Sequence, residues 1–251
     1  MWWLVAAVLF SGLAVWKKML SWGGALAASI LGLWVIYWAG AIWLVPLLFF
    51  FLSSSILGKL LPKKVDSDAK AGKARDAWQV FCNGGVYGIL ASFASGPHQE
   101  IVHSAMILSM AIATSDTWSS EIGVFFRGRT WDILSWKPLQ PGLSGGISLQ
   151  GTLAGVLGSL LLVILGSFLL PQSIHLNWLL ITTLLGTAGM FLDSFLGAAL
   201  QARYVDPVTG FEYDYRVRKF RLSKGKKWMT NDLVNLFSNV AITGLGWILF
   251  S

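Results

Sequence analysis

The chain has 251 residues, of which 55% are hydrophobic and only 12% are charged, and it contains 14 tryptophans. Soluble globular domains carry about 25% charged residues, so this composition excludes one and predicts a polytopic membrane protein. The net charge of +7 then indicates basic loops at a membrane surface and not a nucleic-acid-binding protein. The single cysteine, Cys82, lies in an apolar run and cannot form an intramolecular disulfide.

Apolar runs close to the length of a bilayer-spanning helix, about 20 residues, recur along the chain. They lie at roughly 2–16, 20–38, 41–57, 78–95, 100–115, 146–169, 177–201 and 231–250. These runs predict an all-α fold, a polytopic transmembrane helical bundle of about eight spans that forms a single domain over residues 1–251. Seven spans are the alternative, because the first run is short and one run could lie at the interface.

The basic residues are confined to alternate connections between the predicted spans. All 19 Lys and Arg lie within 17–18, 59–75, 127–137 and 203–227. With eight spans these four segments share one side of the membrane, which the positive-inside rule assigns to the cytoplasm. The sequence therefore predicts a multi-pass protein with a cytoplasmic basic face, in the cell membrane if the source is a prokaryote.

Three carboxylates lie at or inside apolar runs near this side. Asp116 and Glu121 belong to the segment Ser115–Gly123 after the fifth run, and Asp193 lies within the seventh. A charge at such a depth is costly unless water, a metal or a polar ligand stabilises it. We expect all three to be catalytic and to bind Mg²⁺, an ion that takes one or two carboxylates and completes its shell with water and substrate phosphates.

Polar side chains recur every four residues along four predicted helices, which places each set on one helix face. The sets are Arg75, Gln79 and Asn83; Asp116 and Ser120; Asp193, Gly197 and Gln201; and Asn231, Asn235 and Asn239. All four sets begin or end on the cytoplasmic side, so they predict one polar cavity open to the cytoplasm. For the amides alone, hydrogen bonding between packed helices is the favoured interpretation.

A glycine-rich loop, Pro141–Gly146, precedes the sixth span. Backbone N–H groups before a helix N-terminus suit a phosphate, and Lys137 nearby adds a positive charge. A flexible connection into the span explains the composition equally well. The predicted substrate- and phosphate-binding residues are Arg75, Gln79, Asn83, Ser120, Lys137, Ser144, Gly145, Gly146, Gln201, Asn231 and Asn235.

The polar residues narrow the class of chemistry. The chain contains no P-loop, kinase-type glycine loop, HExxH or GxSxG motif. Its three histidines fall on the side opposite to the carboxylates, which argues against a Ser/His/Asp hydrolase. Carboxylates, amides, Lys and Arg suit phosphoryl transfer, in which the protein mainly positions and neutralises charged groups.

Four stretches resemble the integral-membrane family that includes plant and cyanobacterial phytyl-phosphate kinase and transmembrane protein 19 (domain of unknown function 92). They are Arg75–Gly84, Ser115–Gly123, Gly142–Gly151 and Leu192–Gln201, and the resemblance extends over roughly residues 20–250. The Asp-Thr-x-x-Ser-Glu-x-Gly block is its more specific part. The resemblance implies Mg²⁺-dependent transfer of a nucleotide γ-phosphate, of the CTP type, to an isoprenyl monophosphate in the bilayer.

Two other functions remain open from the sequence. In a transporter or lipid flippase, Asp193 would be an intramembrane proton or cation relay. In a CTP-dependent cytidylyltransferase or phospholipid synthase, the site would look much the same. That enzyme would release pyrophosphate, whereas a kinase releases a nucleoside diphosphate.

Overall fold

The computed structural model describes residues 2–61, 74–126, 128–170 and 175–251, with side chains from residue 9 onward. This part of the chain contains eight α-helices, as the apolar runs predict. They are α1 (Trp2–Trp16), α2 (Trp22–Ala39), α3 (Leu44–Leu60), α4 (Ala77–Ala91), α5 (Gln99–Phe126), α6 (Leu149–Ser167), α7 (Leu176–Leu200) and α8 (Asn231–Phe250). Five of the basic residues lie outside the described residues, namely Lys63, Lys64, Lys70, Lys73 and Arg127.

The helices differ in how well each is suited to cross a bilayer. Within the described ranges, five are long and apolar enough: α2, α3 with the turn before it, α6, α7 and α8. Helices α1 and α4 have 15 residues each, about 22 Å of helix, which is shorter than a hydrocarbon core of about 30 Å. Helix α5 has 28 residues but carries Glu100, Asp116 and Glu121. The count of eight spans is therefore approximate.

Helix α5 is the centre of the bundle. Every residue from Ser104 to Ser115 is buried, and α5 packs against α3, α4, α6, α7 and α8. The apolar run of the fifth segment ends near residue 115, but α5 continues to Phe126, which agrees with the helical spacing of Asp116 and Ser120. Hydropathy marks where a helix leaves the apolar layer, but it does not mark where the helix ends. The polar segment Ser115–Gly123 is therefore helical.

Contacts near the helix ends place the four basic segments on one side of the bundle. Lys59 Nζ donates to the Lys17 carbonyl, and the Arg75 backbone pairs with Leu20 in the α1–α2 turn. The connections α5–α6 and α7–α8 meet through Lys224 Nζ and Asp132 Oδ2, which are 3.8 Å apart. The arrangement that the charges predict is thus present in the described chain.

The two long connections on this side contain small sheets. Between α5 and α6, β1 (Trp131–Asp132) pairs antiparallel with β2 (Gly146–Ile147). Between α7 and α8, β3 (Arg203–Val205) pairs antiparallel with β4 (Glu212–Tyr213) and β5 (Arg221–Lys224), in the order β4-β3-β5. These sheets hold the glycine-rich loop and the basic loop over the ends of α5, α7 and α8.

Candidate functional site

A polar cavity of about 440 Å³ lies where these sheets meet the helices, and we call it the first cavity. Its walls come from the last turns of α5 and α7, the start of α8, the glycine-rich loop and the α7–α8 connection. The predicted site residues that line it are Asp116, Ser120, Ser144, Gly145, Gly146, Asp193, Gln201 and Asn231. The structure therefore brings eight of the predicted site residues together at one cavity, although the stripes do not all converge there.

Asp116 and Asp193 form the acidic pair of this cavity. Asp193 is buried, and it lies close enough to Asp116 for the two charges to repel each other. Ser238 Oγ donates to Asp193 Oδ2 at 3.3 Å. The Asn235 side-chain amide is oriented so that its nitrogen also donates to Asp193 Oδ2, at 2.9 Å, and to the Asn231 carbonyl. Two carboxylates from different helices thus share one polar site.

Glu121 does not line the first cavity, which corrects the predicted grouping of three carboxylates. It lies five residues after Asp116, about 140° around a helix of 3.6 residues per turn. Its carboxylate approaches α3, where a Cβ built on Gly58 would be 3.8 Å away, and its charge acts on Arg75. No group of three or more His, Cys, Asp or Glu in the described residues is placed to hold a metal. Of the three predicted carboxylates, the first cavity therefore contains two, Asp116 and Asp193.

The glycine-rich loop packs tightly on α7. Gly145 has φ +85°, and a Cβ there would be 2.5 Å from Ala198 Cβ, so only glycine suits this position. The N–H of Ser144 donates to Asp214 Oδ2 at 2.6 Å, and the N–H of Gly146 donates to the Leu143 carbonyl. The prediction that these N–H groups bind a phosphate is therefore wrong for Ser144 and Gly146, because both N–H groups already donate to oxygen atoms of the protein.

Gln201 points a buried amide at this cavity. Helix α7 ends at Leu200, and Gln201 is its extended C-cap residue, not part of a helical stripe. Its Oε1 accepts a hydrogen bond from Ser144 Oγ at 2.8 Å. Its Nε2 is buried and has no hydrogen-bond partner within the described chain. A buried donor without an acceptor is costly, so this atom suits an anionic ligand oxygen.

The polar residues of α4 face a different cavity. Arg75, Gln79 and Asn83 line an apolar space of about 310 Å³ between α1, α2, α3 and α4, which we call the second cavity. The predicted single cavity is thus two, because α4 packs on α2 and on one side of α8. Asn235 lies between residues of the two linings, because its side-chain amide is 3.3 Å from Asn83 Oδ1 and also contacts Asp193.

The basic side chains that line the first cavity are not the predicted one. Lys137 is exposed and outside the lining, since its backbone pairs with Asp132 in the β1 turn. Arg216 and Lys227 line the cavity instead. Sequence reasoning missed both, although they lie in the most basic segment and on the same predicted side as the carboxylates. Asp214 and Asp232 also line the cavity and were not predicted.

The donor set agrees with a site for Mg²⁺ and phosphates. Asp116 and Asp193 supply hard oxygen ligands, and this ion needs only one or two carboxylates from the protein. Like charges in a buried setting are destabilising unless a cation or a proton compensates them. Arg216, Lys227 and the Gln201 amide supply positive charge and a donor on the other walls.

Comparison with known proteins identifies the family. The model of the family "Integral membrane protein DUF92" matches residues 5–243. An uncharacterized membrane protein of Methanocaldococcus jannaschii is 32% identical over 183 residues, covering 72% of this chain and 74% of the relative. Protein PGR of Arabidopsis thaliana is 31% identical, covering 79% of each chain. The chloroplastic Protein VTE6 of the same plant is 26% identical over 227 residues, covering 87% of this chain and 62% of the relative.

No solved structure matches the chain. The family match and two relatives above 30% identity agree with the apolar helices and the basic face described here. The chain is therefore an integral, multi-pass membrane protein that belongs to the family DUF92.

Proposed function

We propose that the protein is a membrane isoprenyl-phosphate kinase that transfers the γ-phosphate of a nucleoside triphosphate, of the CTP type, to an isoprenyl monophosphate. The observation that carries this proposal is the acidic pair of half-buried Asp116 and buried Asp193 in a cavity that Arg216 and Lys227 also line. Together they offer ligands for Mg²⁺ and charges for a polyphosphate. The family resemblance supplies the nucleotide and the acceptor class.

In the proposed reaction, an oxygen of the acceptor phosphate bonds to the γ-phosphorus of the nucleotide. The bond from that phosphorus to the β–γ bridging oxygen breaks, and the nucleoside diphosphate leaves with the electron pair. The acceptor is already an anion, so no strong general base is needed. Mg²⁺, held by Asp116 and Asp193, would neutralise charge on the nucleotide phosphates.

The side chains of this protein then have separate tasks. Arg216 and Lys227 lower the repulsion between the nucleotide phosphates and the acidic pair. Gln201 Nε2 donates to a phosphate oxygen, and Ser144 fixes the Gln201 amide through its hydroxyl. Asn231 and Asn235, which lie on the side of Asp193 that faces Asn83, position the acceptor phosphate between Arg75 and the acidic pair. Since phosphoryl transfer depends on in-line positioning, these neutral contacts matter for the rate.

The basic side of the bundle would face the cytoplasm, where nucleotide is present. The distribution of Lys and Arg supports this orientation. Basic side chains at the membrane surface also raise the local concentration of anionic lipids. An active site there would receive the nucleotide from water and the acceptor from the bilayer.

The test is a product assay with purified protein, Mg²⁺, CTP and phytyl, geranylgeranyl or farnesyl monophosphate. We expect an isoprenyl diphosphate and CDP in equal amounts. Release of pyrophosphate would instead identify a cytidylyltransferase. Nucleotide-independent uptake into vesicles that requires Asp193 would identify a transporter. Folded protein that forms no diphosphate from any of the acceptors would contradict the proposal.

A further inference from the structure

We infer that the second cavity holds the isoprenyl chain of a lipid monophosphate whose phosphate lies against Arg75. This inference rests on the proposed function for the identity of the acceptor, but its binding test does not require turnover. The cavity measures about 310 Å³ and lies between α1, α2, α3 and α4. Its lining on the α2 side extends from Leu20 to Ile36, which is about 24 Å along a helix axis.

The lining is apolar along most of this length. Phe50, Phe51, Leu47 and other aliphatic side chains form the walls. Gln79 and Asn83 add polar groups from the α4 side, and the hydroxyls of Ser11 and Ser29 hydrogen-bond each other at 2.7 Å. Along the aliphatic and aromatic walls, each apolar carbon group of a ligand that is removed from water adds favourable free energy.

One end of the cavity is cationic. The Arg75 guanidinium lies 5.4 Å from the Phe50 ring and 5.9 Å from the Phe51 ring, both of which line the cavity. Its Nη1 atom is buried and has no hydrogen-bond partner among the described residues. The Arg75 backbone is fixed by hydrogen bonds with Met19 and Ser21. The guanidinium is therefore held at the mouth of an apolar space with a donor available for an anion.

The α4 wall of this cavity approaches the acidic pair. Asn83 lines the second cavity, and the side chain of Asn235 lies between Asn83 and Asp193, which lines the first. Asn83, which shares the second cavity with Arg75, is thus two side-chain contacts from Asp193. Glu121 contributes one negative charge near Arg75, but a monophosphate carries more charge and more acceptor oxygens than one carboxylate.

An apolar chain ending in a monophosphate matches both halves of this cavity. Inorganic phosphate would use only the Arg75 end, and an isoprenol would use only the apolar walls. A diacyl phospholipid brings two chains and a larger head group. The structure therefore favours a single-chain lipid monophosphate over these three, and each of them becomes an arm of the test.

The test measures binding of farnesyl monophosphate to the purified full-length protein without nucleotide. Gly32 lines the cavity, and a Cβ built there meets only Leu44 Cδ2 at 3.7 Å, so Gly32→Leu fills the space without a backbone clash. Ala28→Leu fills it from one turn earlier. Gly244→Leu is the matched control, because Gly244 is also helical, has nothing within 4 Å and lines none of these cavities.

We expect Gly32→Leu and Ala28→Leu to weaken farnesyl monophosphate binding at least about tenfold, the effect of one misplaced methylene in an apolar pocket. Geranyl monophosphate, which is shorter, should be affected less. Gly244→Leu should bind as the unchanged protein does. Arg75→Gln should weaken binding of farnesyl monophosphate but not of farnesol. Thermal unfolding of each variant verifies the fold.

Equal binding by unchanged protein and both cavity-filling variants would overturn the inference. So would equally tight binding of inorganic phosphate, or full displacement by phosphatidic acid. Binding that depends on Gly32 without any diphosphate product would contradict the proposed function and leave the lipid site standing. Normal turnover by the Gly32 and Ala28 variants with farnesyl monophosphate would contradict the lipid site alone.

Discussion

At the scale of single residues, Asp116 and Glu121 lie on different faces of α5 and therefore have different neighbours, although the sequence places them in one polar block. Asp116 and Glu121 are five positions apart in one polar block, and both are acidic. The structure turns Asp116 towards Asp193 and Glu121 towards Arg75 and α3. We therefore propose a metal and nucleotide role for Asp116, and for Glu121 an influence on the Arg75 side.

Isosteric substitutions should separate these roles. We expect Asp116→Asn to lower kcat/KM at least about 100-fold, because one ligand charge at the site of phosphoryl transfer is lost. Glu121→Gln should cost less and should act mainly through the KM of the lipid acceptor. Steady-state kinetics with each substrate varied in turn would measure both. If Glu121→Gln removes turnover as completely as Asp116→Asn at saturating acceptor, the assignment of only two carboxylates is wrong.

At the scale of elements, the glycine-rich loop is a fixed wall of the first cavity. Its N–H groups largely bond to protein oxygens, and Arg203 binds its Ser144 carbonyl at 2.6 Å. Arg203 is in turn 3.1 Å from Glu212. The loop therefore contributes shape and the Ser144–Gln201 contact, and the buried Gln201 amide is the group that we propose donates to a ligand.

Gly145 provides a test of this packing. We expect Gly145→Ala to lower the unfolding midpoint and to abolish most activity, because its Cβ would overlap Ala198 and the residue has φ +85°. Gly210→Ala is the matched control, since Gly210 has φ +73° with nothing within 4 Å. That control should cost only the backbone strain, about 1 kcal/mol, and should keep the nucleotide KM. Similar losses for both would show that packing on α7 is unimportant.

The β1 turn links the two extramembrane sheets through Asp132. Burial alone would raise the pKa of Asp132, but hydrogen bonds from Ser135 and Leu134 and the charge of Lys224 outweigh it and lower the pKa below its usual value. The carboxylate accepts from Ser135 N at 2.9 Å and from Leu134 N at 3.1 Å. A group whose pKa falls on folding stabilises the fold above its unfolded pKa, and this contribution is lost as pH falls through the folded pKa.

We therefore expect Asp132→Asn to be less stable than the unchanged protein at pH 7, by about 1.5–3 kcal/mol, the contribution of hydrogen bonds to a charged group. The difference should shrink as the pH falls below the ordinary aspartate range, because the unchanged protein is then also protonated. Thermal unfolding in detergent across pH would measure it. A difference that stays constant down to the lowest pH would contradict the role of the charge.

At the scale of the whole molecule, the sequence predicted the number of helices and predicted that the basic segments share one side of the bundle. Helix ends followed the apolar runs within a few residues except in α5, where a polar segment continues the helix. The sheets could not be predicted, since β1, β2 and β4 are two residues long and carry no periodicity. The division into two cavities could not be predicted either, because it depends on which helices α4 packs against.

Orientation in the membrane is a separate prediction from the charges. In a Cys82→Ala background, a cysteine at Val208, which is 89% exposed in the β3–β4 connection, should be shielded from a membrane-impermeant maleimide in intact cells. A cysteine at exposed His98, at the opposite end of the bundle, should react. Permeabilisation should expose position 208. Labelling of position 208 in intact cells would reverse the proposed orientation.

The second cavity is lined by α1, α2, α3 and α4 and shares no lining residue with the first cavity, and this has a consequence for the kinetics of the proposed kinase. An acceptor that occupies it arrives by lateral diffusion within one leaflet, so its effective concentration is its mole fraction in the bilayer. We expect the rate per protein molecule to fall when inert lipid is added to the vesicles at constant total acceptor. The same rate should be unchanged when the protein-containing vesicles are diluted with buffer at constant lipid composition. The nucleotide should show the reverse, an ordinary dependence on bulk concentration. The rate would thus depend on the surface concentration of the lipid acceptor in the bilayer and on the bulk concentration of the nucleotide in water.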